Sequence, residues 1–235
     1  MSYQAIVDGL IWYFVFVYST VAHEAGHAWA ALRLGDDTAH RGGQLSLDPI
    51  PHIRREPFGM VIVPIISWFL NNGNWMIGWA SAPYDRTWAV RYPRRAAWMS
   101  LAGPAANLAI GLLCALLIHV GIEWGVFAIP ESAHFTHIVV TTDDTRLWAF
   151  CAQLLSIGFS LQCVLFSFNL LPLPPLDGSA LPLFFLSESG CEKYQELLAN
   201  PTLRLFGIII AWRAFGGVFP IFWKLALHFL YPHSY

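Results

Sequence analysis

The chain has 235 residues, of which 56% are hydrophobic and only 12% are charged. Soluble domains carry about twice this charged fraction, so the composition excludes an ordinary soluble domain and indicates a polytopic membrane protein. The net charge is -2. We find no basic–aromatic patch suited to nucleic acid, so we expect no binding of nucleic acid.

Four apolar segments are long enough to cross a bilayer, and a fifth is interrupted. The four cover about Leu10–Leu34, Ala96–Val120, Leu147–Leu171 and Leu203–Leu230, and the interrupted one covers Met60–Trp79. The sequence therefore predicts an all-α membrane protein with about four to six transmembrane helices. We expect a single membrane-embedded domain over residues 1–235, with its core at about residues 10–185 and a C-terminal helix at about residues 203–230.

The first apolar segment contains the motif His23-Glu24-x-x-His27. On a helix, His23 and His27 lie one turn apart on the same face. Two imidazoles at this spacing can bind one zinc ion, and the carboxylate between them can act as a general base. Ionisable groups in a membrane span are costly and usually mark a functional site.

Arginines indicate the orientation of the chain, because cytoplasmic loops carry an excess of Lys and Arg. Eight arginines lie at the end of the Leu10–Leu34 span or between it and the Ala96–Val120 span, the third apolar segment in chain order: Arg33, Arg41, Arg54, Arg55, Arg86, Arg91, Arg94 and Arg95. If both ends of the Met60–Trp79 segment are cytoplasmic, this segment must enter and return, with its turn at the Asn-Gly cluster Asn71–Asn74. The acidic loop between Val120 and Arg146 suits the outside. We expect an integral, multi-pass protein of the cell (inner) membrane with its site toward the cytoplasm.

A catalytic zinc site needs a third protein ligand and an open position for water. The candidates in this chain are Asp177, Asp48, His52 and the Asp36–Asp37 pair. The prolines before Asp177 break the helix where a span ends, which would allow its carboxylate to turn inward. Pro-Leu-Asp-Gly is also an ordinary turn sequence in which Asp177 would cap a helix. The residues alone favour neither interpretation.

Taken together, the motifs resemble the site-2 protease family of membrane-embedded zinc metalloproteases. The resemblance runs from about residue 15 to 185. It rests on His23-Glu24-x-x-His27, on Gly103-Pro-Ala-Ala-Asn107 and on Asn169-x-x-Pro172-x-Pro174-x-x-Asp177-Gly178. The stretch from Gly43 to His52 also resembles the extended segment that follows the first motif in the family, which implies a short extended or β segment after the first helix.

The resemblance implies a role for each matching residue. His23, His27 and Asp177 would bind one Zn²⁺ per chain, and Glu24 would be the general base. Asn107, Asn169, Pro172 and Pro174 match positions that shape the site or bind substrate. Asn107 has an alternative role, because a polar residue on a closely packed helix face can hydrogen-bond a neighbouring helix.

The chain also departs from the family pattern. The segment from His52 to Gly59 has extra residues where the family commonly has His-x-Asp-Pro-x-Gly, and the segment from Gly78 to Tyr84 lacks an expected lysine. Neither change affects a metal ligand. We expect a minimal form of the family, without the PDZ or CBS domain of many relatives.

These features predict an intramembrane zinc endopeptidase that cleaves peptide bonds in or near transmembrane segments. Its partners would be a transmembrane protein substrate and the lipid bilayer. One alternative is a non-catalytic scaffold of the same family that binds transmembrane partners, but such a protein has no need of Glu24. Another is a metal transporter, which requires ligands toward the outer face, where His119 is the main candidate. The substrate, the regulatory trigger and the oligomeric state do not follow from the sequence.

Overall fold

The structure is a computed structural model that describes residues 3–143, 145–232 and 234. Nine α-helices are assigned within these residues: α1 Tyr3–Leu34, α2 Thr38–Arg41, α3 Pro49–Arg55, α4 Val63–Leu70, α5 Arg86–Arg91, α6 Pro93–Glu123, α7 Arg146–Asn169, α8 Glu188–Ala199 and α9 Pro201–Leu230. A π-helical turn, Phe58–Ile62, precedes α4, and a 3-10 helix, Asp177–Phe184, follows α7. Two short strands, β1 Phe127–Ala128 and β2 Val140–Thr141, form an antiparallel pair. This architecture confirms the predicted all-α fold class.

Four helices are long and apolar enough to cross a membrane: Ala5–Leu34, Pro93–Glu123, Arg146–Asn169 and Pro201–Leu230. The shortest has 24 residues, which at a rise of about 1.5 Å per residue exceeds the roughly 30 Å hydrocarbon thickness of a bilayer. They match the four uninterrupted segments predicted from the sequence. The chain is therefore a membrane protein.

The chain divides into two compact units. One comprises Met1–Val21, Asp48–Ser81 and Asn107–Gln162, and the other comprises Ala22–Leu47, Ala82–Ala106 and Cys163–Tyr235. The helices α1, α6 and α7 each contribute residues to both units. The single-domain organisation stays a prediction.

In the first unit, the interrupted apolar segment forms a hairpin. The apolar helix Phe58–Leu70 is too short to cross a bilayer. It ends at a turn in which Asn72 and Gly73 have positive φ angles of 53° and 77°. The chain then runs back along the helix, since the Trp79 N–H donates to the Gly59 carbonyl at 3.1 Å. The segment folds back on itself at the Asn-Gly cluster, as predicted, and its entry into the bilayer from one side stays a prediction.

The short extended or β segment that we predict after the first helix contains no strand in the described residues. The residues after Gly43, which has a φ of 80°, form bends rather than a strand and lead directly into α3. Asp48 caps α3, because its side chain accepts a hydrogen bond from the Ile50 N–H at 2.9 Å. An Asp N-cap followed by proline at the first helical position favours a helix start over an extended strand.

In the second unit, two apolar clusters surround the beginning of α6. One joins Ala30 and Ala31 of α1 to Trp88 of α5 and Met99 of α6. The other consists of Ala97, Ala180, Leu183 and Cys191, and it joins α6 to the 3-10 helix and to α8. The amphipathic helix α8 has no counterpart among the predicted segments.

Candidate metal centre

The motif histidines lie in the C-terminal half of α1 and are buried. His23, Glu24 and His27 have relative exposures of 7%, 6% and 9%. The Nε2 atoms of the two histidines lie 3.0 Å apart, because residues four positions apart stack on one helix face. Gly26 allows α6 to approach this face closely, since a Cβ there would lie 2.8 Å from the Ala102 carbonyl oxygen.

A backbone carbonyl fixes the orientation of the His27 ring. His27 Nδ1 lies 2.8 Å from the Met99 carbonyl oxygen. A carbonyl oxygen can only accept, so Nδ1 carries the proton and Nε2 of the neutral ring presents a lone pair. Metal-binding histidines are commonly held in this way by a carbonyl or carboxylate on the second ring nitrogen.

Asp177 reaches the histidines because the chain turns sharply after α7. The prolines at 172, 174 and 175 prevent the helix from continuing. Gly178 packs against the residues just after α7, where a Cβ would lie closer than 3.0 Å to the carbonyl oxygens of Leu170 and Leu171. Only glycine fits there without a backbone shift, so Gly178 determines how tightly the chain turns between Leu170 and Asp177.

The three candidate ligands converge on one point. Asp177 Oδ2 lies 3.1 Å from His23 Nε2, and Asp177 Oδ1 lies 3.4 Å from His27 Nε2. In a tetrahedral zinc site with bonds of about 2.0–2.1 Å, neighbouring ligand atoms are separated by about 3.4 Å. The two Nε2 atoms are 3.0 Å apart, and each lies within 3.4 Å of a different Asp177 oxygen. With one ligand atom per residue, the three atoms all lie within 4.8 Å of one another, which is compatible with a shared metal ion. Two imidazoles and one carboxylate are also a donor set found in catalytic zinc sites.

Gly103 of α6 leaves the space in which these ligand atoms meet. A Cβ at this position would lie closer than 3.0 Å to the Nε2 atoms of both His23 and His27. Any side chain here would therefore displace the imidazoles or occupy the place of a metal. The resemblance to the family drew attention to this segment, but only the structure shows that its glycine faces the histidines.

The other acidic candidates for the third ligand have different roles. Asp48 caps α3. The two carboxylate oxygens of Asp36 accept from the backbone N–H groups of Thr38 and Asp85 at 2.9 Å each. Asp37 pairs with Arg41 on the surface. Among the residues that the structure describes, His23, His27 and Asp177 form the one group of three or more such side chains with metal-ligand spacing.

Asn107 lies at the centre of a buried hydrogen-bond network in the first unit. Its Nδ2 donates to Gln162 Oε1 at 2.7 Å and to the Ser19 carbonyl at 3.4 Å, and Gln162 Nε2 donates to Ser19 Oγ at 2.6 Å. The network joins α1, α6 and α7, which agrees with the alternative packing role of Asn107. Gln162 and Ser19 were not predicted from the sequence, because a lone polar residue in an apolar helix does not reveal its partner.

The remaining predicted positions lie around the Asp177 turn. Asn169 Nδ2 donates to the Leu165 carbonyl of its own helix at 2.9 Å, near the end of α7. Pro172 and Pro174 lie in the connection between α7 and the 3-10 helix. Both prolines shape this connection, and contact of these residues with substrate stays a prediction.

Comparison with known proteins finds relatives that are named as zinc metalloproteases. The chain is 34% identical over 163 residues to "Putative zinc metalloprotease YwhC" of Bacillus subtilis (strain 168), an alignment that covers 69% of this chain and 63% of the relative. It is 34% identical over 163 residues to "Putative zinc metalloprotease Rip2" of Mycobacterium tuberculosis (strain H37Rv), with 69% of this chain and 52% of the relative covered. The Rip2 protein of Mycolicibacterium smegmatis is 33% identical over 162 residues, which cover 68% of this chain and 51% of that relative.

The matched region thus spans between about half and two thirds of these relatives' length. No family profile matches the chain, and no solved structure matches it with significance.

Proposed function

The chain belongs to the site-2 protease family of membrane-embedded zinc metalloproteases, and we propose that it is an intramembrane zinc endopeptidase. It would hydrolyse peptide bonds in or near transmembrane segments of other membrane proteins. The observation that carries the proposal is the convergence of His23, His27 and Asp177 at 3.0–3.4 Å beside a buried glutamate. This site lies on α1, which is long and apolar enough to cross a membrane.

The two histidines and Asp177 would hold one zinc ion per chain. Zinc, when bound, lowers the pKa of a water molecule and polarises a carbonyl group. The protonated Nδ1 of His27, fixed by the Met99 carbonyl, keeps its Nε2 available as a ligand. Three protein ligands would leave a fourth position for water or for the substrate carbonyl oxygen.

Glu24 is the proposed general base. Glu24 follows His23 in the sequence and is buried. In a His-Glu-x-x-His motif the glutamate carboxylate is the acid–base group. It would accept a proton from the attacking water and then return that proton to the leaving amine.

The proposed substrate is a transmembrane helix that unwinds locally. The carbonyl groups of an intact helix are bound in internal hydrogen bonds, so a bond must be exposed before it can be cut. We propose further that the protein resides in the cell (inner) membrane and that its site opens toward the cytoplasm, on the basis of the eight arginines between the first and third spans.

The proposal is tested with purified protein and a panel of single-span model substrates in detergent or liposomes. The wild type should cleave at least one of them in a zinc-dependent manner. Glu24→Gln should retain zinc and fold, but the rate should fall by about 10²–10⁴-fold, because an amide cannot accept the proton. A wild-type rate in Glu24→Gln would show that another base operates or that a contaminant cuts the substrate.

A further inference from the structure

The C-terminal helix α9 contacts the rest of its unit at few points. Only 11% of an apolar 18-residue stretch of α9 is buried, compared with 50% of the corresponding stretch of α7. Its buried residues are Gly207, Ala211, Leu227 and Leu230. Because most of the helix is exposed, these buried residues show where α9 packs against the rest of the second unit.

Gly207 lies against the ligand loop, the segment of residues 170–179 that carries Asp177. A Cβ on Gly207 would lie closer than 3.0 Å to the carbonyl oxygen and carbonyl carbon of Pro174. Both are backbone atoms, which cannot rotate aside as a side chain does. Any residue larger than glycine at position 207 must therefore move α9 or the loop.

The ligand loop is stiff enough to transmit such a movement to Asp177. Leu173 N–H donates to the Leu171 carbonyl at 2.8 Å, and Leu176 N–H donates to the Leu173 carbonyl at 2.9 Å. Ser179 continues the series with a 3.0 Å bond to the Leu176 carbonyl. Pro174 is only three residues before Asp177, and these short-range hydrogen bonds restrict movement of one residue relative to the other.

Glycines make close backbone contacts within the loop and with α9. Gly178 packs against the carbonyl groups of Leu170 and Leu171 at the start of the loop, and Gly207 of α9 packs against Pro174. Aromatic contacts hold α9 against α7, with the Phe168 ring centroid 6.1 Å from that of Trp212 and 5.1 Å from that of Phe215. The aromatic contacts with α7 thus set the position of α9, and the contact between Gly207 and Pro174 couples that position to the ligand loop.

We propose that Gly207 is a positioning residue for Asp177, so that α9 helps to hold the third zinc ligand in place. This inference rests on the proposed zinc site and adds to it a helix that lies outside the motifs. It predicts that a substitution at position 207 changes zinc affinity although residue 207 is not itself a ligand.

The test measures zinc affinity of the full-length purified protein by competition with a chelator. Gly207→Ala should bind zinc about 10- to 100-fold more weakly than the wild type, the range typical when the support of a metal ligand is removed. Gly216→Ala is the matched control, because a Cβ at that position of α9 would have no neighbour within 4 Å. It makes the same substitution in the same helix and should keep the wild-type affinity.

Thermal melting of the zinc-stripped variants separates positioning from general stability. A positioning role predicts that Gly207→Ala loses affinity at temperatures where the stripped protein remains folded. A merely structural role would lower the melting temperature of the stripped protein and leave zinc affinity of the folded protein unchanged, which would overturn the proposal.

A second variant decides the question if Gly207→Ala does not fold. Phe215→Leu loosens α9 from α7 without a clash, and it should also weaken zinc binding relative to Phe229→Leu, whose parent side chain is 67% exposed. Equal affinities in these two variants would overturn the inference. Absence of zinc binding in the wild type itself would instead refute the proposed function.

Discussion

At the scale of single residues, the candidate site depends on Gly103, which has no side chain. Gly103 faces both histidines, and a Cβ there would lie closer than 3.0 Å to their Nε2 atoms. We therefore expect Gly103→Ala to weaken zinc binding by more than about 10-fold. Chelator competition measures the effect. Gly217→Ala is the control, since a Cβ at position 217 meets open space. Wild-type affinity in Gly103→Ala would mean that the imidazoles do not meet the metal where the structure places them.

The structure brings together the three candidate ligands predicted from the sequence, but the sequence predicts their surroundings poorly. His23 and His27 follow from helical spacing alone, because local geometry fixes residues four positions apart. Asp177 needed the family resemblance, since an Asp-Gly turn is common and does not by itself indicate a ligand. The contacts of Gly103 and Gly178 could not be predicted, because they depend on how closely two helices and a loop approach one another.

At the scale of helices, buried amides hold the first unit together. Asn107 of α6 and Gln162 of α7 share a 2.7 Å hydrogen bond, and both contact Ser19 of α1. Interhelical hydrogen bonds of this kind contribute about 0.6–2 kcal/mol in membrane proteins. A double-mutant cycle with Asn107→Ala and Gln162→Ala should therefore show a coupling energy of this size in the free energy of unfolding.

Unfolding in mixed detergent micelles measures that coupling. Ser167→Ala is a suitable control, because the Ser167 hydroxyl donates within its own helix, to the Cys163 carbonyl at 2.6 Å. It should not couple with Asn107→Ala. Additive effects of Asn107→Ala and Gln162→Ala, within about 0.5 kcal/mol, would show that the amide pair does not stabilise the fold.

Whole helices were easier to predict than the connections between them. The four spans follow from long apolar runs, and the returning hairpin follows from the Asn-Gly cluster at residues 71–74. The segment predicted to be extended or β after α1 contains no strand in the described residues, and Asp48 and Pro49 start a helix within it. The helix α8 has a polar composition, and its burial against the 3-10 helix depends on tertiary contacts that no periodicity reveals.

At the scale of the whole molecule, the orientation in the membrane is open to a direct test. Single cysteines can replace Ser46 and Ser132 in a variant that lacks the four native cysteines. In intact cells, an impermeant thiol reagent should label position 132 and spare position 46, because the arginine-rich segments favour the cytoplasm. Permeabilised cells, in which both positions should react, provide the control. The reverse labelling pattern in intact cells would place the site toward the outside.

The central claim is that His23, His27 and Asp177 together bind zinc, and metal content tests it most directly. Detergent-purified wild type should contain one zinc per chain. Asp177→Ala should lose affinity by more than the about 10- to 100-fold expected for a residue that only supports a ligand. Asp37→Ala, which removes a surface partner of Arg41, serves as the control. Stoichiometric zinc with undiminished affinity in Asp177→Ala would contradict the claim.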